Sequence, residues 1–256
     1  MSVEKPRFQS LPPAIYLVAS KKNQYYIFMK NRLFPSLMNS RDIGGYITPF
    51  GQTQRGVIYR SGSLSNIHET DLNEMSGKHI TDIFDLRSKR AKEREIDPTL
   101  NDPRFHYHSF FIEAGERLPL DRDDNIANYI KMYSSKDEIT PILKEIASCK
   151  KAVLIHCSAG KDRTGVVISL LQFIAGVPLK EINQEYLLSF FDIDDHVRKL
   201  KISYPDLSPV YDERDDSFLP AVFEILKSRF QTEESYYRFM GLSEETIQAL
   251  RRKQFK

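Results

Sequence analysis

Runs of apolar residues and segments of helical periodicity alternate along most of the chain. Residues 14–19 and 24–29 are β-branched and aromatic runs separated by four polar residues, a pattern typical of a β-hairpin. Similar runs predict strands at residues 56–60, 79–84, 105–111 and 152–155. Helical spacing predicts helices at residues 69–78, 127–133, 139–149, 164–175, 180–190, 193–201, 217–230, 233–239 and 243–252. This order of elements predicts an α/β fold, in which helices flank a central, mostly parallel sheet of about four to five strands.

The predicted hairpin marks one division of the chain. A two-stranded hairpin is too small to be stable alone, so we expect residues 1–36 to form an extension packed on the core. Residues 37–256 then form the main domain, whose length suits a single large domain.

Composition and charge exclude several classes of protein. The 37 Lys and Arg residues nearly balance the 35 Asp and Glu residues, so charge indicates no nucleic-acid partner. Two cysteines cannot supply a disulfide scaffold. The chain has no uninterrupted apolar stretch of about 18 residues, so we expect no stable membrane insertion. The N-terminal residues contain no apolar signal core. We therefore expect a cytoplasmic protein. The alternative is a protein that is exported without a conventional signal.

The segment from Lys150 to Leu171 carries the candidate chemistry. It reads as a buried strand, a tight loop and a helix, and five residues separate Cys157 from Arg163 in the loop. A cysteine thiol has an ordinary pKa of about 8.5 and is a poor nucleophile at neutral pH. Unpaired backbone N–H groups at a helix N-terminus favour the thiolate. We therefore expect Cys157 to be a nucleophile.

The rest of the loop suits a phosphoryl group. The backbone of Ser158, Ala159 and Gly160 can cradle phosphate oxygens, and the glycine permits a sharp bend close to the anion. The planar guanidinium of Arg163 binds two such oxygens and should bind them more strongly in the transition state. Cys157 would attack phosphorus in line and form a phosphocysteine intermediate that water hydrolyses. No metal or cofactor is required, and a phosphate or sulfate ion can occupy the loop.

Three adjacent residues are expected to assist. The hydroxyl of Thr164 can cap the helix or bond the sulfur of Cys157. His156 is expected to order the loop through its ring N–H. Lys161 places a second cation beside Arg163, which would attract substrates with more than one phosphate; the alternative for this lysine is a solvated side chain at the mouth of the site.

The loop sequence HCSAGKDRTG resembles the signature of the cysteine-dependent protein tyrosine phosphatases. More narrowly, it is similar to an atypical bacterial group whose loop reads HCxAGKDRTG. The segments Asn39–Tyr46, Tyr59–Ser65 and Asp85–Ser88 also resemble that group, and the resemblance runs from about residue 37 to the C-terminus. It implies the cysteine-phosphatase fold and hydrolysis of phosphotyrosine, with phosphoserine, phosphothreonine or phosphoinositides as further substrates.

The resemblance also implies roles for upstream residues. Arg41 and Asp42 are expected at the substrate-binding region, where they brace the phosphate loop. Arg60 stands at the end of a predicted strand, where open α/β sheets place ligand-binding groups.

A general acid must protonate the leaving oxygen, and Asp85 and Asp162 are the two candidates that the resemblance indicates. Ordinary tyrosine phosphatases carry this acid on a lid before the cysteine, which would point to Asp121, Asp123 or Asp124.

Two other classes of function are alternatives. A phosphate-binding pseudoenzyme would not need Cys157, Arg163 and Thr164 together. A thiol-dependent reductase or sulfur transferase can share a cysteine-to-arginine loop, but it would be expected to carry a resolving cysteine, and only Cys149 is available. The sequence therefore favours a phosphatase.

Overall fold

A computed structural model of the chain describes residues 32–114, 119–211 and 214–255. The predicted hairpin at residues 14–19 and 24–29 lies outside them, so the division at residue 36 stays a prediction. The strands are β1 (Arg41–Asp42), β2 (Ile47–Thr48), β3 (Gly51–Gln52), β4 (Ile58–Ser61), β5 (Ile80–Asp85), β6 (His106–Ser109) and β7 (Ala152–His156). Five of them form one sheet in the order β1-β4-β7-β5-β6, and β2 and β3 form a separate pair. β4, β7, β5 and β6 are parallel and β1 is antiparallel, which confirms the predicted α/β fold.

Helices cover both faces of this sheet. They are α1 (Glu69–Gly77), α2 (Lys89–Arg94), α3 (Arg122–Tyr133), α4 (Lys136–Ser148), α5 (Asp162–Ile174), α6 (Leu179–Asp192), α7 (Asp194–Ser203), α8 (Phe218–Phe230), α9 (Glu233–Met240) and α10 (Glu244–Gln254). Within the described residues, no helix has both the length and the apolar character needed to cross a membrane.

Several short elements and one helix boundary differ from the sequence prediction, and the strand pair β2 and β3 was not predicted. The polar segment at residues 39–46 contains β1, which is held by pairing with β4 rather than by apolar residues of its own. Helix α2 has no buried residue, so it has no apolar periodicity to detect. Helix α3 starts at Arg122, five positions before the predicted start, because the side chain of Asp121 caps it by accepting the N–H of Asp124 at 2.9 Å.

The central strand β7 positions the loop that follows it. Val153 and Ile155 pack in the larger apolar layer, which also contains the apolar residues of α5, while Leu154 packs with residues of α1 on the opposite face. A strand covered on both faces reads as a continuous apolar run, as residues 152–155 do. The loop from Cys157 to Lys161 is therefore anchored by a buried strand at one end and a buried helix at the other.

Candidate active site

Three successive carbonyl groups in the loop between β7 and α5 accept hydrogen bonds from other segments of the chain. The hydrogen bonds run from Ser63 N–H to Ser158 O (2.9 Å), from Asn39 Nδ2 to Ala159 O (2.8 Å) and from Arg60 Nη2 to Gly160 O. A trans peptide directs the N–H of the next residue opposite to its carbonyl, and the peptide bonds of the described residues are all trans. The N–H groups of Ala159, Gly160 and Lys161 therefore point away from these partners.

The loop borders a cavity of about 490 Å³, and none of the three donor residues is among the described residues that line it. The loop and the first turn of α5 line it with Cys157, Ser158, Ala159, Lys161, Asp162 and Arg163. Helix α3 contributes Tyr129, and α7 with the segment that follows contributes residues such as His196 and Tyr211. The structure thus brings the predicted nucleophile and the predicted arginine to one cavity, which is bordered by the loop that carries these N–H groups.

Gly160 is required by the path of the loop. Its φ is +69°, a conformation that residues with a Cβ adopt at a cost. A Cβ at this position would also lie 2.4 Å from the carbonyl oxygen of Ser61 and 2.7 Å from the nitrogen of Gly62. The loop packs directly on the backbone at the end of β4, which leaves no room for a side chain.

Cys157, Arg163 and Thr164 each have a distinct environment. Cys157 is nearly buried, with 4% of its surface exposed. The Nε–H of Arg163 donates to the carbonyl of Ile112 at 2.7 Å, which uses one of the five donors of the guanidinium and orients the group. Thr164 is fully buried, and its hydroxyl has no hydrogen-bond partner among the described residues, so the expected bond to the cysteine sulfur is not formed in this structure.

A buried ion-pair network supports the loop from behind. Arg60 is fully buried and donates to the Glu185 carboxylate from Nη1 at 2.6 Å, and Arg41 donates to the same carboxylate from Nε at 2.7 Å. Burial, and then the charge of Arg41, lower the pKa of Arg60 to about 10, so it stays charged at neutral pH. Burial alone would raise the pKa of Glu185, but the two arginines hold it below its usual value.

Arg60, Arg41 and Asp42 were expected at the substrate-binding region, and their side chains contact other parts of the chain. None of the three is among the described residues that line the cavity. Both arginines are directed to Glu185 on α6. The carboxylate of Asp42 accepts the N–H groups of Gly44 at 2.7 Å and Gly56 at 2.6 Å, which fixes the turn around β1.

Asp85 is also placed differently from the expectation. It is fully buried, and its Oδ2 accepts hydrogen bonds from Arg87 Nη2 at 2.7 Å and from the Tyr107 hydroxyl at 2.6 Å. Burial alone would raise the pKa of Asp85, but the charge of His156 and the bonds from Arg87 and Tyr107 lower it to about 2. A carboxylate that is ionised at neutral pH and has no exposed surface is unsuited to donate a proton to a leaving group.

His156 lies beneath the loop instead of facing the cavity. Its Nε2 is 3.2 Å from Oδ2 of Asp97, and its carbonyl accepts the N–H of Leu86 at 2.9 Å. Burial alone would raise the pKa of Asp97, but the neighbouring His156 lowers it. The imidazole therefore joins the base of the loop to the connection after α2.

Asp162, the first residue of α5, is an acidic residue that lines the cavity. Its Oδ1 accepts a hydrogen bond from the Tyr129 hydroxyl at 2.6 Å, and 37% of its side chain is exposed. Burial, followed by the charge of Asp162, raises the pKa of Tyr129 well above its usual value, so the phenol stays protonated as a donor. The hydroxyl of Tyr186 lies 3.1 Å from that of Tyr129.

The three acidic candidates that precede the cysteine lie away from the cavity, whereas Lys161 lines it. Asp121 caps α3, Asp124 accepts the N–H of Leu120 at 3.2 Å, and Asp123 is exposed. Within the described part of the chain, none of these three lines the cavity. Lys161 lines the cavity but is not solvated at its mouth, since only 3% of its surface is exposed and its Nζ lies 4.2 Å from the ring centre of Phe190.

Sequence reasoning missed several supporting residues, above all Glu185, Arg87, Asp97 and Tyr129. Most of them are far in sequence from their partners. One signal was present for Glu185, which lies three residues after the buried Ile182 and therefore on the apolar face of its helix.

The fold and the loop geometry define a family, and the chain belongs to it. A model of the tyrosine phosphatase family matches residues 33–255. The chain is similar to a tyrosine-protein phosphatase of Nostoc commune, with 26% identity over 214 residues that cover 76% of this chain and 73% of the relative. It is also similar to the triple specificity protein phosphatase PtpB of Mycobacterium tuberculosis, with 25% identity over 235 residues that cover 78% of this chain and 82% of the relative. The resemblance to bacterial protein tyrosine phosphatases is confirmed, and with it protein phosphatase activity is supported.

Proposed function

We propose that the protein removes phosphate from phosphotyrosine, and also from phosphoserine or phosphothreonine, through a phosphocysteine intermediate on Cys157. The hydrogen bonds that three loop carbonyls accept carry this proposal. Their donors do not line the cavity, so the N–H groups on the opposite side of these peptides would be directed to the cavity that holds Cys157 and Arg163. Those N–H groups and the guanidinium would bind the phosphate oxygens, and their attraction would grow as charge builds on them. The thiolate would then attack phosphorus, and water would release the phosphate.

Asp162 is our candidate for the general acid. It lies in the cavity and is accessible, whereas Asp85 is buried and ion-paired. The Tyr129 hydroxyl donates to Oδ1 of Asp162, which leaves Oδ2 to carry the proton for the leaving oxygen. Tyr129 would thereby position the acid without touching the substrate's phosphate.

The pH dependence of turnover tests this assignment. Asp162→Asn should lose the basic limb of the pH–rate profile for a phosphotyrosine peptide and about 10²–10⁴-fold in kcat. The loss should be smaller for an aryl phosphate with a better leaving group, which needs less protonation. Tyr129→Phe should reduce kcat and move the basic limb, and Asp123→Asn should do neither. An Asp162→Asn enzyme that keeps the basic limb would contradict the assignment.

A phosphoinositide is a second candidate substrate, favoured by one observation. Lys161 and Arg163 both line the cavity, so two cations would attract a substrate that carries more than one phosphate. Lys161→Ala should then lower turnover of a phosphoinositide more than turnover of a phosphotyrosine peptide. Equal losses would remove the support for this candidate.

A substrate panel tests the proposed reaction itself. Phosphotyrosine peptides, phosphoserine peptides and phosphoinositides would be assayed in the presence of a chelator. Wild-type protein should release phosphate fastest from the phosphotyrosine peptides. Cys157→Ser should release none while it still binds phosphate. A variant with near-wild-type turnover would contradict the mechanism. The extension at residues 1–36 and a cytoplasmic location are further proposals, which rest on the sequence alone.

A further inference from the structure

A cluster of potential metal ligands lies outside the candidate active site, on three different elements. Oδ1 of Asp82 in β5 is 2.9 Å from Nε2 of His108 in β6. The Sγ of Cys149, the residue that ends α4, completes a set whose ligand atoms all lie within 4.8 Å of one another. The side chains of Asp82 and His108 are 13% and 19% exposed, so an ion can reach them from solvent.

The spacing of these atoms is close to that of a tetrahedral site. Zinc with bonds of about 2.0–2.3 Å holds its ligand atoms roughly 3.3–3.8 Å apart. The Asp82–His108 pair is slightly closer than this, and the widest pair in the cluster is at most about 1 Å wider. Side-chain rotations within the cluster can accommodate these differences, since none of the three side chains is fully buried.

Neighbouring groups orient the candidate ligands. Nδ1 of His108 lies 3.6 Å from the Glu145 carboxylate, the arrangement in which a metal-binding histidine commonly presents its other nitrogen to the ion. The imidazole stacks on Phe84 with ring centres 4.5 Å apart. The hydroxyl of Thr81 donates to Oδ2 of Asp82 at 2.7 Å, which leaves Oδ1 directed at the histidine.

We propose that Asp82, His108 and Cys149 bind one divalent cation of the zinc class, with water as the fourth ligand. A thiolate and an imidazole favour zinc or cobalt over magnesium or calcium. Binding would release the thiol proton of Cys149 to solvent and would join β5, β6 and the connection from α4 to β7. The spacing of these three residues along the chain does not indicate a metal site, because they lie on separate elements.

A second group of the same residue types, Asp85, Asp97 and His156, does not carry this inference. All three are buried, and the guanidinium of Arg87 lies 2.7 Å from one carboxylate and 3.9 Å from the other. A cation is therefore already present between these acids. At the Asp82 cluster the described cation is Lys253, whose Nζ donates to the backbone carbonyls of Cys149 at 2.8 Å and Lys151 at 2.7 Å rather than to a candidate ligand atom.

Cobalt spectroscopy of the full chain tests the site. Because Cys157 is also a thiol, the titration uses the Cys157→Ser variant, in which Cys149 is the remaining cysteine. Cobalt(II) should give a thiolate-to-metal charge-transfer band that saturates at one equivalent, and zinc should remove it. In the same background, Cys149→Ser should abolish the band, and Ser148→Ala should leave it unchanged.

Two less disruptive variants guard against loss of folding. Glu145→Gln removes no ligand and should weaken cobalt binding by about tenfold or more, because it removes the carboxylate behind His108. His108→Gln should weaken it further, with an unchanged far-ultraviolet circular dichroism spectrum. A band that persists in Cys149→Ser, or the absence of any saturable band in Cys157→Ser, would overturn the proposal.

Discussion

Glu185→Gln removes a carboxylate that two arginines share, at almost constant side-chain volume. In the native protein this carboxylate accepts hydrogen bonds from Arg41 at 2.7 Å and from Arg60 at 2.6 Å. Arg60 has no exposed surface and cannot recover its lost partner from water. Arg60 also donates to the Gly160 carbonyl, so the change should disturb the phosphate loop as well as the fold.

The magnitude follows from the burial of each pair. Removing one partner of a buried ion pair costs about 3–5 kcal/mol, because a charge stays buried without compensation. The pair with Arg41, whose side chain is 12% exposed, is expected to add less. With a urea dependence of about 3 kcal/mol per molar, the upper end for small proteins, the unfolding midpoint should fall by about 1–1.7 M.

Urea unfolding followed by circular dichroism measures this loss. Glu181→Gln, one turn earlier on the same helix and only partly buried, is the matched control and should shift the midpoint little. Turnover of a phosphotyrosine peptide should fall in Glu185→Gln and not in the control. A loss of stability below about 1 kcal/mol in Glu185→Gln would refute the view that this residue compensates buried arginines.

Two further predictions concern Gly160 and Asp85. Gly160→Ala should lower the free energy of unfolding by about 1–3 kcal/mol because of its left-handed backbone alone, and the collision with Ser61 should add to this loss. The same variant should lose phosphate binding measured by calorimetry. Gly77→Ala, which has open space around the added Cβ, should instead stabilise the protein by about 0.5–1 kcal/mol. The pKa of Asp85 is about 2 in the folded protein and about 3.9 when unfolded, so its stabilisation is complete above the unfolded value and is lost as pH falls toward 2. Urea unfolding of Asp85→Asn should therefore depend less on pH between 4 and 2 than that of the wild-type protein, and an identical dependence would contradict the ion pair with Arg87.

The catalytic loop was predictable because its chemistry is local. Cys157, Gly160 and Arg163 lie within seven residues, and the flanking strand and helix carry strong apolar patterns. The same patterns located the longer helices to within a few residues, except that α3 starts five residues before the predicted position. Helix α2 escaped because a helix without buried residues leaves no periodic signal.

The roles of individual charged residues were less predictable, because burial and partners decide them. Asp85 and Asp162 are equally acidic in sequence, but one is enclosed with Arg87 and the other faces the cavity. Arg60 stands at the carboxyl end of its strand as expected, yet Glu185, 125 positions later, turns it behind the loop. Contacts between residues so far apart cannot be read from spacing along the chain.

Cys157 must carry the phosphoryl group covalently if the proposed mechanism holds. A radiolabelled phosphotyrosine peptide would be mixed with wild-type enzyme and with Asp162→Asn, quenched within a turnover, digested and analysed by mass spectrometry. The label should appear as a phosphothioester on the peptide that contains Cys157. It should be absent from Cys157→Ser, which should keep its fold and its affinity for phosphate. Label on another residue, or unlabelled Cys157 during rapid turnover, would contradict the mechanism.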